Sequence, residues 1–329
     1  MLNKSDRAKL AKKTINKFIP HLIEVDARVR EGVQQSELIH YSPADAKISQ
    51  ATASPEAESA PFESPHETEA GNPSKRRKIE ALQKPDSFQS TPEPSTSSSA
   101  VQPRIRIIKS DTFDAAEATL RAHPKASVAV LNMASALQPG GGVLRGALAQ
   151  EEALCVRSTL YPSLDPSFYR IPLLAAIYSP DVLVFRGSDL VDLPKSDWFH
   201  TAVISCAALR QPDVEKGKDG KMIYSDKKDK EVMLDKIRLI FQIAKDKGIT
   251  HLILGALGCG AYRNPPEEVA VMFRKMLLDG RRHEGVTGIE EVTFAIFNEG
   301  ENLTSFKEMF EDIMVDSAWR RCKDLGVIP

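Results

Sequence analysis

Short apolar runs alternate with helical patterns along the chain after Pro103. Apolar runs of this kind are typical of strands that are buried on both faces of a sheet. The predicted strands are Ile105–Lys109, Ser127–Asn132, Ala202–Ala207, His251–Gly255 and Val292–Asn298, and a hairpin is predicted at Ile177–Arg186. Strands that alternate with helices predict a mainly parallel α/β sandwich.

Apolar residues at helical spacing fill the intervals between these runs. Met233, Ile237 and Phe241 recur in this way within Glu231–Lys247, and the following Gly248 is a natural C-terminal stop. Further helices are predicted at Asp114–Ala122, at Gln150–Thr159, from Pro266 and from Ser305. The highly charged segment Asp213–Lys230 is predicted to be a surface loop.

An amphipathic helix is predicted at Ser5–Ile19, with Pro20 as its stop. Its basic face also fits a mitochondrial transit peptide, but Asp6, Glu24 and Asp26 interrupt the acid-poor composition that such peptides need. We therefore expect residues 1–41 to be a helical segment that docks on the main domain.

The segment 42–103 is rich in Ser, Pro, Thr, Glu and Gln, and it has hardly any aromatic or branched residues. Such a composition cannot offset the entropy of ordering by burial, which predicts a disordered insertion before a folded domain at 104–329. The basic cluster Lys75, Arg76, Arg77 and Lys78 fits a nuclear-import signal as well as a solvated charge run. The location predicted from it is nuclear, cytoplasmic or both.

Deletion of residues 45–100 is expected to leave the melting temperature and the activity nearly unchanged, because a disordered segment makes few native contacts. Thermal unfolding of the deleted and the full chain checks this. A large drop in melting temperature would show that the segment contains folded structure.

Composition excludes several classes of function. A chain of 329 residues, 42% of them hydrophobic, can bury a large core. Its formal net charge of −1 gives no global field toward polyanions, and no apolar run approaches the length of about eighteen residues that a membrane span needs. We therefore expect neither direct nucleic-acid binding nor a membrane location, and we expect a monomer.

The potential metal ligands are scattered. Cys155, Cys206, Cys259 and Cys322 lie far apart without a C-x-x-C pair, and the seven histidines form no HExxH spacing. This pattern predicts buried thiols in a reducing compartment, no bound metal and no cofactor.

A glycine turn and an acidic pair follow the predicted strand that ends at Asn132. Gly140, Gly141 and Gly142 allow positive φ and close approach of backbone to a ligand, and seven residues later Gln150, Glu151 and Glu152 begin a helix. In such a pair one carboxylate can bind a hydroxyl while the other, with its pKa raised by burial and by its neighbour, acts as a general acid. Taken separately, the two motifs also fit a plain turn before a solvated helix start.

A second glycine loop follows the strand His251–Gly255 and leads into the helix at Pro266. It contains Gly258, Cys259, Gly260, Ala261 and Tyr262, followed by Arg263 and Asn264. Unpaired N–H groups and a helix dipole in this arrangement favour an anion, although an ordinary strand-to-helix turn has the same parts. Because both glycine loops follow strands, we expect them to meet at the carboxyl edge of the sheet.

The combination of GGG-x7-QEE with GCGAYRN resembles the microbial-type poly(ADP-ribose) glycohydrolase family, over the chain from about Arg104 to its end. A helix with an early Arg and Thr, here Arg7 and Thr14, is similar to the start of its members. Tyr262 is a departure, since a Phe is expected there. The resemblance implies a macro-domain-like three-layer α/β/α sandwich with a mixed sheet.

The resemblance also implies hydrolysis of the ribose–ribose bond of poly(ADP-ribose), mainly from the chain end, and a part in reversing ADP-ribosylation in the DNA damage response. Glu152 matches the catalytic acid and Glu151 the glutamate that holds a ribose hydroxyl. Gln150 would position the pair, and Asn132 and the three glycines would contact the ribose and the diphosphate. Residues 258–261 would hold the diphosphate, with Tyr262 against the ribose.

Two other functions remain open on the sequence. The same pocket could serve a hydrolase that removes single ADP-ribose units from modified proteins, or a non-catalytic ADP-ribose reader. The acidic pair argues against a reader, because a binding module has little use for two repelling carboxylates. In each case the partner is poly(ADP-ribose) or an ADP-ribosylated protein.

Overall fold

A computed structural model describes residues 2–42, 102–278 and 286–313. Within them, seven strands form one mixed sheet: β1 (Glu37–His40), β2 (Arg104–Ile108), β3 (Val128–Met133), β4 (Ala175–Val184), β5 (Phe199–Cys206), β8 (His251–Leu254) and β9 (Glu291–Ala295). Their order in the sheet is β1-β4-β5-β3-β8-β9-β2. Pairs β2/β9, β9/β8, β8/β3 and β3/β5 are parallel, whereas β4 runs antiparallel to β5 and to β1.

Helices cover both faces of this sheet. The helices are α1 (Lys4–Lys13), α2 (Ile19–Val25), α3 (Ala27–Gln34), α4 (Thr112–Ala122), α5 (Gln150–Arg157), α6 (Leu160–Ser163), α7 (Lys227–Asp246), α8 (Pro266–Leu278) and α9 (Glu301–Met309). Side chains of β3 alternate between the two layers, since Val130 packs with α1, α4, α5 and α6 while Leu131 packs with α7, α8 and α9. The predicted three-layer α/β/α sandwich with a mixed sheet is confirmed.

The prediction that Pro20 ends the first helix is wrong. The helix continues from α1 through a π-helical turn, Thr14–Phe18, into α2. Pro20 is the second residue of α2, directly after the π-helical turn, and this widened turn accommodates a proline that has no N–H to donate. α3 and the edge strand β1, which sequence patterns did not indicate, then complete the N-terminal segment.

The predicted hairpin at Ile177–Arg186 is also wrong. β4 is one continuous strand against β5, with a bulge between Ser179 and Val182. Pro180 lies in that bulge, where no ladder hydrogen bond from its nitrogen is required. The turn-like sequence around Pro180 therefore bends β4 but does not reverse the direction of the chain.

Two other boundaries differ from the expectations. The segment predicted as a charged loop contains the antiparallel strands β6 (Val214–Lys216) and β7 (Met222–Tyr224), and α7 already begins at Lys227, with Asp226 as its N-cap. α9 begins at Glu301, four residues before the predicted start. The predicted insertion at 42–103, the basic cluster at 75–78 and Cys322 lie outside the described residues, apart from the insertion's terminal residues 42, 102 and 103.

Candidate active site

The site begins at the carboxyl end of β3. Asn132 is fully buried there, and its Nδ2 donates to Ser205 Oγ on the neighbouring β5 at 3.0 Å. Its Oδ1 has no hydrogen-bond partner in the described part of the chain. A buried acceptor without a partner costs about 1–3 kcal/mol of stability. We therefore expect this oxygen to accept a hydrogen bond from a bound ligand.

The glycine turn wraps the acidic pair at close range. Gly140 and Gly141 have φ of +60° and +54°, as the sequence predicts, whereas Gly142 has φ −96°. A Cβ on Gly141 would lie 2.7 Å from Glu152 Oε1 and 2.9 Å from Glu151 Oε2. The turn therefore requires glycine here for two reasons, its backbone conformation and the carboxylates next to it.

Gln150 joins the start of α5 to the end of β3. Its Oε1 accepts from Met133 N–H at 2.7 Å, and its Nε2 donates to Leu131 O at 2.7 Å and to Thr112 Oγ1 at 3.1 Å. The amide thus bonds the strand backbone on both sides of Asn132. Both ends of the Gln150 side chain are thus bonded to the protein, so the start of α5, which carries the two glutamates, is fixed to the end of β3.

The two glutamates are held in different ways. Glu152 accepts from two backbone groups, Gly142 N–H at 2.8 Å to Oε1 and Ala149 N–H at 3.0 Å to Oε2. Glu151 accepts from Ser135 N–H at 2.8 Å through Oε2, while its buried Oε1 has no partner in the described chain. The pair is therefore fixed in place, with one carboxyl oxygen left for a ligand.

The pKa of Glu151 is raised from 4.5 to about 8. Burial is the main cause, the Ser135 N–H opposes it, and the charge of Glu152 adds to it. At neutral pH Glu151 thus carries a proton, whereas the family resemblance predicts Glu152 as the catalytic acid. The raised pKa of Glu151 is caused mainly by its burial, which depends on the fold and which the sequence could not show.

Glu151→Gln is expected to stabilise the protein at alkaline pH. Because the folded-state pKa lies above the ordinary value of 4.5, the contribution of Glu151 to stability is fully present below about pH 4.5 and is lost as pH rises through 8. A glutamine stays neutral, so the free energy of unfolding should exceed that of the wild type by ~2–4 kcal/mol above pH 8 and by little at pH 4.5. Urea unfolding across this range measures the difference, and a difference that does not change with pH would contradict the raised pKa.

The second glycine loop lies at the neighbouring strand end, after β8. The backbone N–H groups of Gly260, Ala261 and Tyr262 have no hydrogen-bond partner in the described part of the chain. Three successive free N–H groups before the N-terminus of α8 suit an anion such as a phosphate. Cys259 is a free thiol whose pKa is raised by burial, so it is a packing residue of the loop.

Asn264 holds this loop in shape. Its Nδ2 donates to Leu209 O at 2.7 Å and to Gly258 O at 3.2 Å, and its Oδ1 accepts from Tyr224 OH at 2.9 Å. Its own N–H donates to Gly258 O at 3.1 Å. The residue closes the loop on itself and ties it to the segment after β5, a function that the motif alone does not reveal.

Of the two glycines in this loop, Gly258 requires the absence of a side chain and Gly260 does not. Gly258 has φ +76°, and a Cβ there would lie 2.4 Å from Ala208 Cβ. A Cβ on Gly260 would meet no atom within 4 Å, and the φ of Gly260 is not positive.

Gly258→Ala should lower the free energy of unfolding by ~1–3 kcal/mol, and Gly260→Ala should change it by less than ~0.5 kcal/mol. Thermal and urea unfolding of both variants check this, and equal stability of the two would contradict it.

Tyr169 is a site residue that the sequence analysis missed. Its hydroxyl oxygen is buried without a partner in the described chain. Burial, followed by the charge of Glu151, raises its pKa far above the ordinary value, so it remains a hydrogen-bond donor. The adjacent Ile171 N–H donates to Ala136 O at 3.0 Å, which places this segment against the loop after β3. Since no local motif marks Tyr169, only the fold could reveal it.

The N-terminal helix contacts the loop that carries the three glycines. α1 packs on the turn Val143–Arg145, and Arg7 Nε donates to Gly146 O at 3.0 Å. A Cβ on Gly146, where φ is +72°, would lie 2.1 Å from Lys4 O. Thr14 is buried and its hydroxyl accepts from Arg186 at 2.9 Å. Both residues that the family resemblance singles out in this helix thus make contacts with the domain.

Other chemistries find little support in the part of the chain that the structure covers. It contains no cluster of three or more His, Cys, Asp or Glu residues placed to hold a metal ion. No helix among these residues has the length and apolarity that a bilayer crossing demands. Cys155, Cys206 and Cys259 are free thiols.

Comparison with known proteins points to one family. A model described as "Microbial-type PARG, catalytic domain" matches residues 63–187. The fold is similar to poly(ADP-ribose) glycohydrolase from Thermomonospora curvata, with 25% identity over 93% of this chain and 100% of that chain and a TM-score of 0.65. It is also similar to the Deinococcus radiodurans enzyme in complex with ADP-ribose, with 26% identity, coverage of 86% and 97%, and a TM-score of 0.60.

A variant of the Deinococcus radiodurans enzyme in complex with ADP-ribose is 33% identical over 64% of this chain and 85% of that chain, with a TM-score of 0.53. Comparison with curated protein sequences gives no match.

Proposed function

The chain belongs to the microbial-type poly(ADP-ribose) glycohydrolase family, and we propose that it hydrolyses ribose–ribose O-glycosidic bonds of poly(ADP-ribose), releasing ADP-ribose mainly from the chain end. The observation that carries this proposal is the acidic pair. Glu152 is fixed by two N–H groups, and Glu151 presents an unpartnered buried oxygen next to a turn that allows no Cβ.

Substrate binding would set the protonation of this pair. A hydroxyl of the terminal ribose donates to Glu151 Oε1, and a hydrogen bond to the charged form favours that form. When Glu151 binds the ribose hydroxyl as a carboxylate, the adjacent Glu152 is the carboxyl group that acts as the acid.

Glu152 would protonate the ribose oxygen that leaves, while the C–O bond breaks through an oxocarbenium-like transition state. The ionised Glu152 then accepts a proton from the attacking water. Asn132 Oδ1 and the Tyr169 hydroxyl are the remaining unpartnered polar atoms near the pair, one an acceptor and the other a donor, and both would bond the substrate's oxygens and hydroxyls.

The diphosphate would lie on the free N–H groups of Gly260, Ala261 and Tyr262, at the N-terminus of α8. The Tyr262 ring would pack on the terminal ribose. Gly140, Gly141 and Gly142 would bring backbone against the ribose and the diphosphate on the other side.

Two alternatives use much of the same pocket: a hydrolase for single ADP-ribose units on proteins and a non-catalytic reader. A reader is disfavoured because Glu151 is kept buried with a raised pKa, an arrangement that costs stability and that binding alone does not need. No contact in the pocket distinguishes the single-unit substrate from the polymer end.

Product length is the test of end cleavage. With long poly(ADP-ribose) and limiting protein, chain-end action gives free ADP-ribose from the first time points while the remaining polymer shortens gradually. Chromatography of early products measures this. Early accumulation of multi-unit fragments would contradict chain-end action, and intact polymer would contradict hydrolysis itself.

We also propose that the protein acts as a monomer on poly(ADP-ribose) or ADP-ribosylated proteins, without direct nucleic-acid binding. The basic cluster at 75–78 supports a nuclear location, and with it a part in the DNA damage response. The composition of 42–103 supports a linker between residues 1–41 and the domain at 104–329.

A further inference from the structure

The side chains of four described arginines have no partner among the described residues. The side chains of the other ten described arginines form hydrogen bonds or ion pairs, as those of Arg7, Arg28 and Arg157 do. Arg145, Arg170, Arg210 and Arg263 are exposed, and their side chains make no hydrogen bond or ion pair within the described residues. A side chain that forks five N–H donors and bonds nothing is available for an anionic ligand.

All four lie on loops that border the site. Arg145 belongs to the turn after the three glycines, and Arg170 follows Tyr169. Arg210 precedes Gln211, whose N–H donates to Tyr262 O at 2.8 Å. Arg263 lies in the second glycine loop itself. The four residues thus lie on loops at the carboxyl edge of the parallel strands, where the two glycine loops also lie.

Two of these loops carry no other charge. Arg145 is the only charged residue in the segment 133–149, and Arg263 is the only one in 255–265. The loops with Arg170 and Arg210 each contain one aspartate as well, Asp165 and Asp213. The net charge of the whole protein is −1, so exposed cationic side chains without partners, such as these four, decide locally where a polyanion is attracted.

We infer that Arg145, Arg170, Arg210 and Arg263 form a cationic rim that binds the diphosphates of the polymer outside the ADP-ribose unit in the pocket. The inference rests on the proposed function and deepens it, because it makes a polymer, rather than a single ADP-ribose unit, the preferred ligand. The planar guanidinium matches phosphate oxygens in bidentate fashion, and the successive diphosphates of a polymer give each arginine a partner that one unit cannot supply to all four.

Binding to a protein that cannot turn over tests the rim. In a Glu152→Gln background, the pairs Arg145→Gln/Arg170→Gln and Arg210→Gln/Arg263→Gln are compared with Lys125→Gln/Lys245→Gln. These two lysines are also exposed and without a partner in the described chain, and they precede β3 and β8 at the opposite edge of the sheet. Each double variant removes the same charge, so a nonspecific charge effect would be equal in all three.

Each arginine pair is expected to weaken binding of a defined-length polymer about tenfold and to reduce the salt dependence of that binding. ADP-ribose affinity should change by less than about threefold, and the lysine pair should change neither affinity by more than about twofold. Fluorescence anisotropy with labelled polymer and calorimetry with ADP-ribose measure both.

The cationic rim would be contradicted if the arginine variants bound the polymer as tightly as the parent protein, or if they lost equal affinity for the polymer and for ADP-ribose. Because these measurements involve no turnover, they are separable from the hydrolase proposal. If the wild type leaves the polymer intact while the rim variants lose polymer binding, the hydrolase proposal is contradicted and the cationic rim is supported.

Discussion

Glu152→Gln is expected to lower turnover on poly(ADP-ribose) by about a hundredfold or more, while ADP-ribose affinity stays within about threefold of the wild type. The glutamine fills the same space but has no proton to transfer to the leaving oxygen and no carboxylate to activate water. Steady-state release of ADP-ribose and calorimetry measure the two quantities.

The amide also changes one hydrogen bond. Both oxygens of Glu152 accept N–H groups, so the NH₂ of a glutamine must oppose either Gly142 N–H or Ala149 N–H. Circular dichroism and thermal unfolding must therefore show an intact domain. Glu231→Gln, an exposed position on α7, controls for the loss of one charge. Near-normal turnover of a folded Glu152→Gln protein would contradict the assignment of Glu152 as the general acid.

Gly141→Ala should also abolish most turnover, by on the order of a hundredfold, because one methyl group displaces both carboxylates. The Cβ would lie within 2.9 Å of an oxygen of each glutamate, and those oxygens are already fixed by Gly142 and Ser135 N–H groups. A displacement of about 1 Å in reacting groups can cost a hundredfold in rate. The measurement is kcat and KM on polymer, with kcat expected to carry most of the loss.

Gly248→Ala is the matched control for the effect of a positive φ alone. Gly248 has φ +65°, close to the +54° of Gly141, and a Cβ there meets no atom within 4 Å. It should cost ~1 kcal/mol of stability and leave turnover intact. If Gly141→Ala behaved like Gly248→Ala, the glycine would serve only the turn and not the acidic pair.

Sequence reasoning succeeded where local pattern decides the structure. The apolar run before Asn132, the glycines at positive φ and the helix from Gln150 all depend on residues within one short segment, and the same holds for the strand and loop before Pro266. Their meeting at one edge follows from the parallel order of the strands.

It failed where a distant partner decides. Pro180 lies in a bulge because β5 continues to pair on both sides of it, and Pro20 is accommodated by a preceding π-helical turn. The segment of Tyr169 is placed against the site by the hydrogen bond from Ile171 N–H to Ala136 O, which joins residues 35 positions apart in the chain. The proton on Glu151 depends mainly on the burial of its carboxyl group in the folded protein, and no spacing in the sequence encodes that.

The most direct test of the proposed activity is release of free ADP-ribose by the purified protein from two substrates, poly(ADP-ribose) and a mono-ADP-ribosylated protein. The proposal predicts that free ADP-ribose accumulates from the polymer. Release from the mono-modified protein alone, or binding of the polymer without any release, would contradict it.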